Sequence, residues 1–448
     1  MSSISHKSFL AIAVPFTIST VTQPLLGAVD TAVVGRLESA TYIGGVAIGT
    51  VIFNTLYWLF GFLRVSTSGF SSQSLGTNNE EDRYYAYLRP LAVAVIISIL
   101  FVAFQYPIIR GAMAIYKPDP DVARHAMTYF NILIWGAPLV LIGYVNLGWL
   151  MGRKLVKETL FLQVSTNVMN IILDVLFVMV FKMDVAGVAW ATLISQTYGF
   201  SLGIFFISRQ MSSRQINQFK ARIFDSKAIK KIMAVNSDLL VRTACLLIMT
   251  NMFIAKGSAL GATVLAANAI LFQLQYIVAY FFDGFANACS VFVGEAVGEN
   301  NLKKFNRTVS ISNIHVAWMS LTASLILILL KNPIIVCFTD ITEVITLCHA
   351  YFIWLTLFPL IMGIGLVYYG LYTGATYTAP VRNSLIVALG VFVAVYFTAI
   401  PLFDNHGLWL AFLMFCLCRS AVLIIYKNKL IQSVFTQVPP ENGQRVLP

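Results

Sequence analysis

Twelve long apolar stretches run through the chain, and each is long enough to cross the hydrocarbon core of a bilayer as a helix. Only 11% of the residues are charged, whereas soluble proteins have roughly 25%. Lipid offers no hydrogen bonds to the backbone, so such stretches fold as helices. We therefore predict an all-α polytopic membrane protein. The predicted spans are 8–36, 41–70, 88–109, 126–151, 158–181, 187–208, 231–256, 262–296, 307–330, 347–373, 383–403 and 407–426.

An internal duplication with an offset of 222 residues organises these spans. Gly76-Thr-Asn-Asn79 after the second span matches Gly298-Glu-Asn-Asn301 after the eighth, and GWLMG at 148–152 matches GLYTG at 370–374. Two copies of six helices have the same orientation, which is typical of parallel-repeat transporters. We predict two pseudo-symmetric six-helix lobes. The predicted divisions are an N-lobe at 1–208, a cytoplasmic linker at 209–230, a C-lobe at 231–427 and a cytoplasmic tail at 428–448.

The basic residues indicate how the spans are oriented. With the N-terminus in the cytoplasm, 20 of the 30 Lys and Arg residues fall on the inner side and 7 in the outer loops. This distribution follows the positive-inside rule and predicts that both termini are cytoplasmic. It also accounts for the net charge of +11, so we predict no nucleic-acid partner and expect the lipid bilayer as the surroundings.

The N-terminal copy holds polar residues inside its spans. A charged side chain near the membrane centre costs at least ~2.5 kcal/mol, which makes Asp30 in the first span a candidate functional residue. Pro15 lies in the same span, and proline frees backbone groups and lets a membrane helix bend. Asn170 and Asp174 in the fifth span are four residues apart and share a helix face. The sixth span adds Thr192.

These oxygen-bearing side chains can hold a proton or a hard cation such as Na⁺. The C-terminal copy lacks the acids: Met252 stands at the position equivalent to Asp30, and 391–396 reads VFVAVY. The two copies are therefore chemically unequal, which favours coupling chemistry in the N-terminal copy. The sequence contains no HExxH motif or comparable cluster, and we predict neither an enzyme, nor a cofactor, nor a metal site other than this candidate Na⁺ site.

Other charges inside the spans are interpreted as structural, with cavity lining or gating as the alternative. These are Arg64, Asp238, Arg242 and Asp283. Tyr368 and Tyr369 in the tenth span could form an aromatic wall for flat lipophilic cations. Plain packing or an interfacial belt is the alternative for these two tyrosines.

The sequence resembles the multidrug and toxic compound extrusion (MATE) family, specifically its DinF-like branch, and suggests a gram-negative bacterial source. The stretches that carry the resemblance are PLLGAVDTAVVG, GTNNEED, NVMNIILD, GVAWATLISQ and GATYTAPVRNS. The resemblance implies a MOP-type pair of six-helix lobes in an inner membrane. It also implies export of lipophilic, often cationic drugs and toxins in exchange for H⁺ or Na⁺.

The family's functional positions carry over residue by residue. Its coupling acid, Asn/Asp pair and sixth-helix threonine are matched by Asp30, Asn170, Asp174 and Thr192. Its bending proline in the first helix matches Pro15, and a cavity-facing glutamine matches Gln23. One departure concerns the tenth span, where Tyr368 and Tyr369 stand in place of the acid that NorM-like members carry in the C-lobe. The N-lobe is therefore the expected coupling site.

The resulting hypothesis is proton-coupled efflux by alternating access. Protonation of Asp30 would change its contacts with the fifth and sixth spans, and the first helix would bend near Pro15. Na⁺ coupling through the same residues is one open alternative. A flippase for lipid-linked precursors is another, although it would need a strongly cationic cavity for pyrophosphate. We expect a monomer.

Overall fold

The computed structural model describes residues 4–35, 39–212, 219 and 223–435, with the side chains of 24–32 and 40 outside that description. Within these residues the secondary structure is helical and contains no strand. The α-helices are α1 (His6–Val34), α2 (Ala40–Phe60), α3 (Phe62–Thr77), α4 (Glu80–Ala103), α5 (Gln105–Tyr116), α6 (Pro120–Leu133), α7 (Ala137–Gly152), α8 (Val156–Asp174), α9 (Asp184–Ser208), α10 (Ser226–Ala259), α11 (Ala262–Gly298), α12 (Leu302–Leu329), α13 (Lys331–Val336), α14 (Thr342–Gly374), α15 (Ala379–Ile425) and α16 (Lys427–Phe435). A 3₁₀ turn, Ile134–Gly136, precedes α7, and a π-helix, Val175–Val180, follows α8.

Ten helical stretches in the described residues are long and apolar enough to cross a membrane. One of them, Ala379–Phe435, holds two predicted spans, because Asp404 (φ 46°, ψ −122°) interrupts the helix. Phe392 and Phe415, on either side of this break, have ring centroids 6.4 Å apart, so the chain doubles back there. The first predicted span lies in α1, which is 29 residues long. The all-helical membrane fold is confirmed, and these helices are consistent with twelve spans.

Contacts divide the chain into two compact units. The N-terminal unit comprises Ala11–Ser71 and Asn79–Ala244. The C-terminal unit comprises the described residues within Met1–Leu10, Ser72–Asn78 and Cys245–Pro448. Each unit is built mainly from the helices of one sequence copy, while the lobe bounds given by the duplication remain predictions.

The duplication is visible in the backbone dihedral angles. Left-handed φ angles are uncommon for residues other than glycine, yet three pairs of such residues lie 222 positions apart. The pairs are Asn78 and Asn300 (51° and 51°), Lys154 and Thr376 (59° and 49°), and Lys182 and Asp404 (51° and 46°). Both copies therefore end or interrupt their helices in the same way at equivalent positions.

Equivalent glycines also bring equivalent helices together. A Cβ atom at Gly148 would collide with the carbonyl oxygen of Arg64 in the N-terminal unit. A Cβ atom at Gly370 would collide with the carbonyl oxygen of Ala286 in the C-terminal unit. Each residue of the second contact lies 222 positions after its counterpart in the first. Small residues allow such close backbone approach between membrane helices, so both copies pack the corresponding helix pair alike.

Candidate functional site

A row of four polar side chains follows one face of α8. Its members are Gln163, Asn167, Asn170 and Asp174. Their spacings of four, three and four residues keep them on one side of the helix. Asn167 is half-buried and the other three are buried. Buried polar groups require partners, so the contacts of this row indicate what α8 is built to hold.

Asn170 and Asp174 contact each other at the end of the row. Asn170 Nδ2 donates to Asp174 Oδ2 at 2.9 Å, and the two residues are only 5% and 2% exposed. Asp174 is the last residue of α8, and the π-helix starts at Val175. Single π-helical turns occur frequently at functional sites. The structure therefore places a buried carboxylate, held by a carboxamide, where the helix changes its winding.

The first half of the row binds α1. Ser19 Oγ donates to Gln163 Oε1 at 2.5 Å, and Asn167 Nδ2 donates to Thr22 Oγ1 at 3.3 Å. Both contacts advance along the two helices together, so α1 and α8 run in the same direction. Sequence reasoning missed Ser19, Thr22 and Gln163. The signal that could have found Gln163 is its position two helical turns before Asn170 on the same face.

The other predicted residues of the first and sixth spans are less fully placed. The side chain of Asp30 lies outside the described residues. Pro15 is half-buried within α1, which is helical on both sides of it, and Gln23 is exposed. Thr192 is half-buried on α9, and its hydroxyl donates to the carbonyl oxygen of Val188 at 3.0 Å. The coupling roles of these residues therefore stay predictions.

A second buried amide in the N-terminal unit makes a different contact. Asn146 on α7 accepts a hydrogen bond from Tyr87 Oη at 2.8 Å, and the two residues are 0% and 4% exposed. A Cβ atom at Gly203 of α9 would lie 2.9 Å from Asn146 Nδ2. This amide joins α4, α7 and α9, and it lies on a different helix from the polar row of α8.

Tyr368 and Tyr369 are buried in α14, at 5% and 6% exposed. The guanidinium carbon of Arg419 on α15 lies 5.9 Å from the ring centroid of Tyr369. A cation at this distance is attracted by the ring's negative face. Both tyrosines are thus packed inside the C-terminal unit, and their proposed contact with substrate stays a prediction.

The four remaining charged residues lie on three helices. Asp283 on α11 accepts a hydrogen bond from Asn287 Nδ2 at 3.2 Å, one turn further along the same helix. Asp238 is buried and Arg242 half-buried, one turn apart on α10. Arg64 is half-buried on α3, where its carbonyl oxygen forms the glycine contact described above. Their structural or gating roles stay predictions.

A sequence model of the family described as MatE matches residues 15–176 and 239–398, well over half of the chain. The chain belongs to the MatE family. The two matches start 224 residues apart and end 222 residues apart, in agreement with the duplication. The predicted family is confirmed, and with it a transporter rather than an enzyme. The Asn170–Asp174 pair lies within the first match.

Relatives of this MatE protein extend over nearly its whole length. "DNA damage-inducible protein F" of Escherichia coli (strain K12) is 32% identical, over 94% of this chain and 91% of that protein. "Multidrug resistance protein MdtK" of Photorhabdus laumondii subsp. laumondii is 24% identical, over 93% of this chain and 94% of that protein. A solved structure titled "Outward-facing conformation of a multidrug resistance MATE family transporter of the MOP superfamily" has the same fold. It superimposes with a TM-score of 0.87 at 18% identity, covering 96% of this chain and 97% of that one.

Proposed function

We propose that this MatE protein exports lipophilic, often cationic compounds in exchange for protons. The proposed coupling residues are Asp30, Asn170, Asp174 and Thr192. The protein works in the inner membrane with both termini in the cytoplasm. Support for multidrug export comes from the relatives, one of which is named a multidrug resistance protein. The observation that carries the coupling site is the buried Asn170–Asp174 hydrogen bond at 2.9 Å on a helix tied to α1.

The register between α1 and α8 is the reason to include Asp30. Thr22 and Asn167 are hydrogen-bonded, and the two helices run in the same direction. Asp30 lies eight residues beyond Thr22, and Asp174 lies seven residues beyond Asn167. At a rise of 1.5 Å per residue these are advances of about 12 Å and about 10 Å. The backbone of Asp30 therefore falls at the level of Asp174.

Two carboxylates at one level in a region of low dielectric repel each other strongly. A proton taken up at Asp30 removes that repulsion and changes the balance of forces between α1 and α8. Pro15 then provides the position at which α1 bends, because a proline frees the carbonyl four residues before it. Bending of α1 reduces the space available to a bound compound, which leaves toward the outside. Release of the proton on the inner side restores the starting state.

The energy available to such a cycle is sufficient. One pH unit supplies ~1.4 kcal/mol per proton, and 100 mV supplies ~2.3 kcal/mol per charge moved. Together these are ~3.7 kcal/mol per proton, enough to support a gradient of roughly 500-fold for an exported neutral compound.

The test is efflux of ethidium or norfloxacin from cells, with Na⁺ present or replaced and with the proton gradient intact or collapsed. We expect efflux to continue without Na⁺ and to stop when the proton gradient is collapsed. Efflux that requires Na⁺ and survives the loss of the proton gradient would replace the proton with Na⁺ at the same residues. The absence of efflux even with Na⁺ present and the proton gradient intact would contradict multidrug export itself.

A further inference from the structure

Two arginines share one buried tryptophan at the ends of α4 and α7. Trp149 is 0% exposed, one turn before the end of α7. The guanidinium carbons of Arg83 and Arg153 lie 5.9 Å and 6.0 Å from the centroid of its ring. The Trp149 indole nitrogen donates to the carbonyl oxygen of Arg83 at 3.4 Å. Two guanidinium groups therefore lie within 6.0 Å of the centre of one indole ring.

Neither of these two charges belongs to the ion pairs seen among the described residues, although Glu80, Glu81 and Asp82 share the first turn of α4 with Arg83. Arg83 Nη2 donates to the main-chain oxygen of Gln210, while Arg83 Nε is a buried donor without an acceptor. Arg83 Nη2 also lies 3.4 Å from the Gln210 side-chain oxygen. Residues 209–224 of the linker contain no Asp or Glu at all. Burial and the positive charge of Arg83 lower the pKa of Arg153.

Two described residues of the linker contact the start of α4. Residues 209–231 contain seven Lys and Arg residues. Phe219 of the linker lies with its ring centroid 5.2 Å from that of Tyr84 and 5.9 Å from that of Tyr85. The backbone amide of Ser212 donates to Tyr84 Oη at 3.0 Å. These contacts hold Ser212 and Phe219 against Tyr84 and Tyr85, the residues that follow Arg83 in α4.

The arginine pair lies where apolar spans end. The helical stretch Pro120–Gly152 is apolar enough to cross a membrane, and Arg153 is the residue immediately after it. Arg83 is in the first turn of α4, at the start of a second such stretch, Glu80–Ala103. Lipid phosphates lie just outside the hydrocarbon core, at the ends of spans. This end of both helices is the predicted cytoplasmic side, where anionic lipids interact with basic residues.

We propose that Arg83 and Arg153 together bind the phosphate group of an anionic phospholipid headgroup. The guanidinium group is planar and presents paired donors that match phosphate oxygens. A phosphate between the two arginines would accept a hydrogen bond from Arg83 Nε and reduce the repulsion between the two cations. The bound lipid would stabilise the junction of α4, α7 and the linker, a role separate from the coupling site on α8.

The test uses the purified full-length protein in a neutral detergent with phosphatidylglycerol or phosphatidylcholine added. Native mass spectrometry counts bound lipids, and thermal unfolding reports the stabilisation. The variants are R83Q and R153Q, with R110Q as the matched control. Arg110 also lies over an aromatic ring, at 4.2 Å from the Tyr106 centroid, but is exposed. We expect each test variant to bind phosphatidylglycerol about tenfold more weakly, since a charged hydrogen-bond partner is lost, and R110Q to bind as the unchanged protein does.

Equal phosphatidylglycerol binding by R83Q, R153Q and the unchanged protein would overturn the proposal. Inorganic phosphate is added in a parallel arm, and stabilisation by phosphate alone as large as that by phosphatidylglycerol would overturn the assignment to a lipid. R153K covers the case in which a glutamine variant does not fold, because lysine keeps the positive charge but lacks the paired N–H donors of the guanidinium group. Its binding should fall between those of R153Q and the unchanged protein. The unchanged protein preferring phosphatidylcholine would be a further contradiction.

Discussion

The Asn170–Asp174 pair can be tested as a unit with a double-mutant cycle. Asn170→Ala removes a donor 2.9 Å from the Asp174 carboxylate, and water cannot replace it readily because both residues are at most 5% exposed. A hydrogen bond to a charged group contributes about 1.5–3 kcal/mol, which corresponds to about a 10- to 150-fold change in ion affinity. Asp174→Asn keeps the shape of the side chain but removes its charge. Asn170→Ala should therefore have a much smaller effect in the Asp174→Asn background.

The direction of the change identifies the ion. The Asn170 amide stabilises the ionised form of Asp174. Without it, the proposed Asp30 and Asp174 carboxylates should together take up a proton more readily, so that half-maximal transport in Asn170→Ala occurs at a lower proton concentration. If Na⁺ binds there, the loss of the amide oxygen as a ligand should raise the Na⁺ concentration required. Initial rates of ethidium transport into everted vesicles, measured against pH and against Na⁺, distinguish the two. Thermal unfolding of the four proteins completes the cycle if Asp174→Asn abolishes transport.

Asn146→Ala is the control for this cycle. It removes a buried amide of the same unit, which accepts a hydrogen bond from Tyr87 at 2.8 Å and lies on α7 and not on α8. We expect it to lower thermal stability without changing the ion dependence of transport. If Asn170→Ala has the same effect in the unchanged protein and in the Asp174→Asn variant, the two residues do not act as a unit. An unchanged ion dependence in Asn170→Ala would lead to the same conclusion.

Three further predictions concern single residues. Asp30→Asn should abolish drug resistance while leaving expression intact, measured by growth with ethidium and by immunoblotting; full resistance would exclude the proton site. Pro15→Ala should slow turnover more than it weakens drug binding, measured in proteoliposomes; equal losses of both would count against bending of α1. Gly374→Ala should cost about 1–3 kcal/mol of stability through overpacking, because its Cβ would lie 2.8 Å from the Ser290 carbonyl carbon. Gly390→Ala, with open space around it, should unfold at an unchanged or higher temperature; equal destabilisation of both would contradict the packing argument.

Features that depend on one helix or on the repeat were predictable from the sequence. The matching GTNN and GENN segments predicted equivalent helix ends, and Asn78 and Asn300 have the same φ of 51°. The pairing of Asn170 with Asp174 followed from their spacing of four, because 3.6 residues per turn fixes which side chains meet on a helix.

Contacts between helices distant in sequence were decided only by the tertiary structure. The bonds from Ser19 to Gln163 and from Asn167 to Thr22 join residues about 145 positions apart. The two arginines at Trp149 are 70 positions apart in the chain. Such pairs depend on the rotation and axial register of each helix against its neighbour, which follow from the fit of all the side chains between them. The amino-acid order along a single helix does not determine that rotation and register. It does determine the helical periodicity and the repeat, because both are patterns in the sequence itself.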